Sequence, residues 1–183
     1  MSIGYTEIMK KLNEIGRPDL IAESAVRRDD FLVSFVKKLE PKVANIIEIG
    51  TYNGFSALTL ASIGKIVYTY DVAYRGAEFV WNLFGMEKKI RCCVAPQWQI
   101  DFEIKNTIVK CWKDKFNFNF AFIDGEHTEK AVRHDFELVK FCGRVLFDNA
   151  NFPELKRFVI DEIGGKVEGV NSVWGYWEGT KCV

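Results

Sequence analysis

The sequence has only two histidines and four prolines among its 183 residues, and it has no excess of charge of either sign. Lysine plus arginine and aspartate plus glutamate both number 25. A balanced chain exerts no long-range attraction on nucleic acid or acidic lipid, so either partner would need a local basic patch, and none stands out. No apolar run approaches the roughly 18 residues that a membrane-spanning helix needs. The first residues, MSIGYTEIMKKL, lack the apolar core and small-residue cleavage site of a secretory leader. A soluble, cytoplasmic protein without nucleic-acid or membrane partners is therefore expected. The five cysteines, Cys92, Cys93, Cys111, Cys142 and Cys182, are odd in number and lack metal-type spacing. They are expected to be buried, reduced thiols. Repeats, low-complexity linkers and composition shifts are also missing, so 1–183 reads as one domain, with helices over 1–40 and a core over 43–183.

What is present is organised around IIEIGTYNGFSALTLAS, Ile46 to Ser62. An apolar run carrying Glu48 breaks at Gly50, a short turn reaches Gly54, and an alanine- and leucine-rich helix follows. Strand, glycine turn and helix form the layout that holds a nucleotide-like cofactor at the carboxyl end of a parallel strand. Before it, Ile8, Met9, Leu12 and Ile15 recur at helical spacing. A second helix is expected from Pro18 to Leu39, with Ile21, Ala25, Leu32, Phe35, Val36 and Leu39 as its apolar stripe. These helices are compatible with sheet packing or with a homo-oligomer.

After it, KIVYTYDV, KIRCCV, FNFAFID and GRVLFDN read as strands. Helices are expected between them, over about Gly76–Phe84, Asp101–Lys115 and Thr128–Phe141, and then over Pro153–Ile163. The tail alternates enough for two more strands. Five strands alternating with helices specify a doubly wound, mostly parallel α/β sheet, seven-stranded with the tail.

Ligands collect at the carboxyl ends of such strands. Glu48 and Gly50 end the first, Asp71 the second, Asp124 the fourth, and Asp148 with Asn149 the fifth. Acids gathered on one rim repel each other unless a cation or a hydroxyl-rich group lies among them. Asp71 follows Gly50 at about the spacing that brings an acid to ribose hydroxyls. The glycines, however, follow G-x-x-x-G, without the close approach that a pyrophosphate demands, and no Gly-Lys-Ser/Thr ends the loop. A cofactor with ribose and adenine but no phosphate fits, with S-adenosylmethionine as the candidate. Asp124, Asp148 and Asn149 offer oxygen donors only, which suits a hard cation, Mg²⁺ before Ca²⁺ or Mn²⁺. His127, three residues beyond Asp124, can bend back over the rim as a general base. His134 is given no role.

These residues resemble the class I S-adenosylmethionine-dependent methyltransferases, and among them the small metal-dependent O-methyltransferases. EIGTYNGFSALTLA is similar to the first motif of the catechol type, IDGEH to the D-G-x-H motif of the macrolide-sugar type, and LFDN to the Asp-Asn metal motif of the catechol type. The resemblance covers about residues 43–160 and implies a Rossmann-like methyltransferase fold. It implies that Gly50, Tyr52, Gly54 and Ser56 line the methionine portion, that Asp71 holds the ribose, and that Gln97 flanks the adenine. Glu48, Thr51, Asn53, Val72 and Asp124 complete the cofactor-lining set. Asp124, Asp148 and Asn149 would bind the metal and His127 would act as base. The implied reaction is methyl transfer to a hydroxyl of a small molecule, a sugar or a phenol. The competing readings are a non-catalytic protein that binds S-adenosylmethionine and a methyltransferase with a nitrogen acceptor. Trp174, Tyr176 and Trp177 in the tail are expected to pack more than to bind.

Overall fold

Alternate residues of the strands sort into two separate cores, as a sheet covered on both faces requires. Ile46, Val67, Phe120, Phe122 and Leu146 face one core, while Ile47, Ile49, Ala121, Ile123, Val145 and Phe147 face the other. This arrangement comes from a computed structural model that describes residues 3–21, 31–39, 43, 45–73, 75–95, 102–168 and 173–179. The strands are β1 (Asn45–Ile49), β2 (Ile66–Asp71), β3 (Ile90–Val94), β4 (Phe118–Ile123), β5 (Arg144–Phe147), β6 (Lys166–Glu168) and β7 (Trp174–Glu178). They form one sheet in the order β3-β2-β1-β4-β5-β7-β6. β1 to β5 pair in parallel, and β7 runs antiparallel between β5 and β6. The mostly parallel seven-stranded α/β sheet expected from the sequence is what forms.

The helices are α1 (Tyr5–Glu14), α2 (Phe31–Leu39), α3 (Phe55–Ser62), α4 (Ala77–Leu83), α5 (Phe102–Lys115), α6 (Glu129–Val139) and α7 (Pro153–Arg157). The first core takes α1 to α4, and the second takes α5, α6 and α7. α3 is buried on almost every side, from Phe55 to Ala61. It is roofed by α1, where Tyr5 meets Phe55 edge-on at 5.6 Å. The N-terminal helices therefore cover the sheet.

The expected helix from Pro18 to Leu39 is not continuous. Pro18–Leu20 make a single 3₁₀ turn, Ile21 is extended at φ −84° and ψ 114°, and α2 starts at Phe31. Ala25 lies outside the described residues. The break has a tertiary cause. The Leu20 carbonyl, which a helix would use internally, accepts a hydrogen bond from Asn53 Nδ2 at 2.6 Å. The last expected helix also shortens, since α7 gives way to a π turn over Phe158–Glu162 that directs Phe158 and Val159 into the core. Among the cysteines, Cys92 and Cys93 face opposite cores as strand alternation requires. Burial pushes Cys92 up to about 11 and Cys142 up to about 12, which keeps both as thiols. Cys111, in contrast, is exposed, contrary to expectation, and Cys182 lies outside the described residues.

The tail aromatics pack. Trp174 stacks on Phe31 at 5.0 Å, Tyr176 meets Phe35 at 4.9 Å, and Trp177 meets Phe136 at 5.0 Å. Replacing a buried aromatic of this kind removes both transfer energy and packing. Trp174→Ala should therefore lower the unfolding free energy by about 3–5 kcal/mol, measured by urea denaturation followed by circular dichroism. A loss under 1 kcal/mol would show that this ring is not part of the core.

Candidate active site

The chain winds outward from β1 through β2 to β3, then returns to the other side of β1 as β4. The reversal opens a crevice between the carboxyl ends of β1 and β4, where doubly wound sheets take their ligands. The backbone ladder continues one residue past the strands at this rim. Gly50 N–H donates to Tyr70 O at 2.8 Å and Asp124 N–H to Ile49 O at 2.8 Å. Asp148 N–H donates to Ile123 O at 2.9 Å and Ala95 N–H to Asp71 O at 3.0 Å. Each rim residue is thus pinned to the neighbouring strand, so the acids stand on a rigid edge and not on loose loops.

The two motif glycines are demanded by the protein itself. A Cβ on Gly50, at φ +100°, would lie 2.1 Å from the Asp124 carbonyl oxygen. A Cβ on Gly54, at φ +76°, would lie 2.4 Å from Trp81 Nε1, which donates to the Gly54 carbonyl at 2.8 Å. Between them, the N–H groups of Thr51 and Tyr52 both donate to Asp71 Oδ2 at 2.7 Å, and Ala73 N–H donates to Oδ1 at 3.0 Å. An ionised carboxylate offers about four acceptor positions, so Asp71 braces the turn and still has capacity for a hydroxyl. Val72 beside it is 36% exposed and offers an apolar surface.

Glu48 does not reach the rim surface. It is fully buried on the α3 face of β1, paired in register with Thr69 of β2. Thr69 Oγ1 donates to Glu48 Oε2 at 2.6 Å, so Thr51 Oγ1, also at 2.6 Å from Thr69 Oγ1, supplies the next proton in the chain. Oε1 accepts no hydrogen bond among the described residues. Burial pushes this carboxyl up to about 7, opposed by the hydroxyls of Ser56 and Thr69 and reinforced by the negative Asp71. Asn53, expected to line a cofactor, donates through Nδ2 to the Leu20 carbonyl, which ties the turn to the N-terminal segment. Tyr52 is 46% exposed, with the Arg75 guanidinium 4.6 Å above its ring. Gln97 lies outside the described residues.

Across the crevice, Asp124, His127 and Asp148 each bring a ligating atom to within 4.8 Å of the others, with Asp148 buried. Asn149, next to Asp148, adopts a left-handed φ of 55°. Two carboxylates at this separation suit a divalent cation, with the imidazole beside them as a base. Thr128 caps α6 by accepting from Ala131 N–H at 3.3 Å, and that cap fixes the loop carrying His127. Glu126 is exposed and accepts from Thr128 Oγ1 at 3.0 Å. Below this loop, Lys105 and Asp135 form an ion pair at 2.5 Å, with 13% and 1% of their side chains exposed. His134 lies beside the same carboxylate.

Sequence reasoning missed Thr69, Trp81, Lys105 and Asp135. Thr69 shares its strand face with Asp71 two residues on and faces Glu48 across the β1–β2 pair, so the strand pairing register was its signal.

The family model described as O-methyltransferase matches residues 1–158. A putative caffeoyl-CoA O-methyltransferase of Arabidopsis thaliana is 31% identical over 157 residues, covering 78% of this chain and 63% of that protein. The chain spans between 58% and 63% of the curated relatives it matches first. The fold is shared with a putative caffeoyl-CoA O-methyltransferase of Staphylococcus aureus at a TM-score of 0.66 and 16% identity, covering 95% and 91% of the two chains. It is also shared with the mycinamycin-pathway methyltransferase MycE, solved with Mg and SAH, at a TM-score of 0.58 and 14% identity, covering 94% and 53%.

Two outcomes follow from this geometry. Gly50→Ala should destabilise the fold by about 2 kcal/mol or more, since the new methyl meets backbone at an unfavourable φ. Thermal melting of the variant measures this, and an unchanged midpoint would contradict the close approach. Glu48 sets a pH dependence. Its folded value lies above the ordinary 4.5, so the folded protein binds more protons than the unfolded chain between those pH values. The stabilisation is present below about pH 4.5 and is lost as pH rises through about 7, by roughly 3 kcal/mol in all. Denaturation at pH 5 and pH 8 should show this loss in the wild type and not in Glu48→Gln. Parallel losses in both proteins would assign it elsewhere.

Proposed function

The chain belongs to the O-methyltransferase family, and from that premise we propose that it transfers a methyl group from S-adenosylmethionine to a hydroxyl oxygen of a small molecule. The observation that carries this reading is the convergence of Asp124, His127 and Asp148 within 4.8 Å of one another. They stand across the crevice from a glycine turn braced by Asp71.

The donor half is the stretch from Gly50 to Ser56 with Asp71 and Val72. Gly50 keeps the crevice open to a ligand's methionine portion. Asp71 uses its remaining acceptor capacity on ribose hydroxyls, and Val72 packs against the adenine. Glu48 contributes from beneath, through Thr69 and Thr51, by stiffening the turn. The acceptor half is Asp124, Asp148 and Asn149, whose oxygens suit Mg²⁺. That cation, when bound, supplies Lewis acidity that favours an ionised hydroxyl. His127 Nδ1 or Nε2 takes the hydroxyl proton as general base. The freed oxygen lone pair forms the bond to the methyl carbon, and the carbon–sulfur bond breaks with its electrons returning to sulfur. The rigid rim holds both reactants on one edge, and such orientation can supply about 7–11 kcal/mol of a barrier in the best cases. A sugar or phenolic hydroxyl in the cytoplasm is the proposed acceptor class. No helix among the described residues is long and apolar enough to cross a membrane.

Calorimetric titration with S-adenosylhomocysteine tests the two halves separately. The wild type should bind it with or without Mg²⁺, and Asp71→Ala should weaken binding about tenfold or more, the worth of a charge-assisted hydrogen bond. EDTA should abolish turnover of a hydroxyl acceptor while leaving that affinity within about twofold, and Asp124→Ala should abolish the same turnover. Full turnover in excess EDTA would overturn the metal assignment, and no affinity for S-adenosylhomocysteine would overturn the reading as a whole.

A further inference from the structure

Phe152 occupies a position that its own helix does not explain. It is the N-cap of α7, where serine, threonine, aspartate or asparagine would bond a free N–H, and its side chain makes no cap hydrogen bond. Pro153 in the first turn already favours the helix start. Burial does not account for it either, since 42% of the residue is exposed while Leu155 and Phe158, further along the same segment, are buried. What the ring does touch is His127. The centroids lie 6.3 Å apart at an interplanar angle of 79°, an edge-to-face contact. The backbone places it there. Asn149 turns the chain at φ 55°, and Phe152 N–H closes that turn on the Asn149 carbonyl at 3.1 Å. The residue thus stands on the rim three positions after a candidate metal ligand and against the candidate base.

We propose that Phe152 is a positioning residue that holds the His127 imidazole in its place over Asp124 and Asp148, with its exposed face forming one wall of the acceptor's approach. The inference rests on the proposed methyl transfer for its catalytic consequence, but not for its geometry. A three-residue loop after Gly125 gives His127 several side-chain orientations, and a ring packed against one side of the imidazole removes some of them. Phenylalanine suits this task because it contacts the imidazole without hydrogen-bonding to it.

The chain holds only two histidines, so imidazole NMR reads the proposal directly. Phe152→Ala and Phe152→Leu, the second keeping apolar bulk without a ring, should each move the resonances of one imidazole and leave the other in place. Assignment through His134→Gln should identify the moved one as His127. Phe152→Tyr should restore the wild-type position. This measurement needs neither methyl donor nor acceptor, so its failure is distinct from failure of S-adenosylhomocysteine to bind, which would overturn the function. With catechol as acceptor probe, kcat in the alanine and leucine variants should fall about tenfold while S-adenosylhomocysteine affinity is kept. Unmoved imidazole resonances in both variants would overturn the proposal. So would a loss of kcat accompanied by an equal loss of S-adenosylhomocysteine affinity, the mark of a merely structural role.

Discussion

The close approach of Gly50 to the Asp124 carbonyl is the contact on which the site depends. At the reversal point of the sheet, two neighbouring strands end together, and the last residue of one has backbone where a side chain would be. Only a residue without a Cβ lets the ladder run on through Asp124 N–H to Ile49 O. The next bond, from Asp148 N–H to Ile123 O, builds on that one. The distance between the glycine turn and the acidic side of the crevice is therefore set by backbone hydrogen bonds. Side-chain choices decide what is bound there, and the sheet decides how far apart the bound groups lie.

The rim gathers negative charge, and the fold handles each acid differently. Glu48 is buried, and that burial, only partly offset by the Thr69 and Ser56 hydroxyls, favours the neutral form. Asp71 is compensated by three backbone N–H groups. Asp124 and Asp148 have ligating atoms within 4.8 Å of each other, where two unit charges repel by about 3 kcal/mol at an effective dielectric near 20. A cation bound as proposed above would offset this repulsion. Lys105 pairs with another deeply buried carboxylate, Asp135, from the helix side. A fixed ammonium there serves the carboxylate at the base of the loop.

The alternation of strands with helices and the rim acids could be read from the sequence because both depend on local patterns. Alternating apolar runs ending in Gly50, Asp71, Asp124 and Asp148 fix which end of the sheet carries chemistry, whatever the helices do. What could not be read depends on contacts between distant segments. The helix expected from Pro18 stops because Asn53, far along the chain, takes the Leu20 carbonyl. The same contact ties the glycine turn to the N-terminal segment. Glu48 was placed correctly on β1, but its depth depends on α3 covering it, and Thr69 becomes meaningful only through the β1–β2 register. The tail aromatics were legible as packing, since β7 lies inside the sheet and not at its edge.

Two residues other than glycine hold a positive φ among the described residues, Tyr52 at 45° and Asn149 at 55°, and they stand on opposite sides of the crevice. Asparagine tolerates this conformation, whereas for tyrosine it costs roughly 1–3 kcal/mol. The cost is met locally. The Tyr52 N–H is held by Asp71, and its ring lies under the Arg75 guanidinium. A relaxed φ at Tyr52 would turn that N–H away from Asp71 and separate the glycine turn from the acid on β2. At Asn149, a relaxed φ would carry Phe152 away from His127. The strained pair therefore does the same thing on both sides. Each turns the chain sharply enough that a residue just beyond the ladder stays on the rim, so the crevice keeps rigid walls where its strands have already ended.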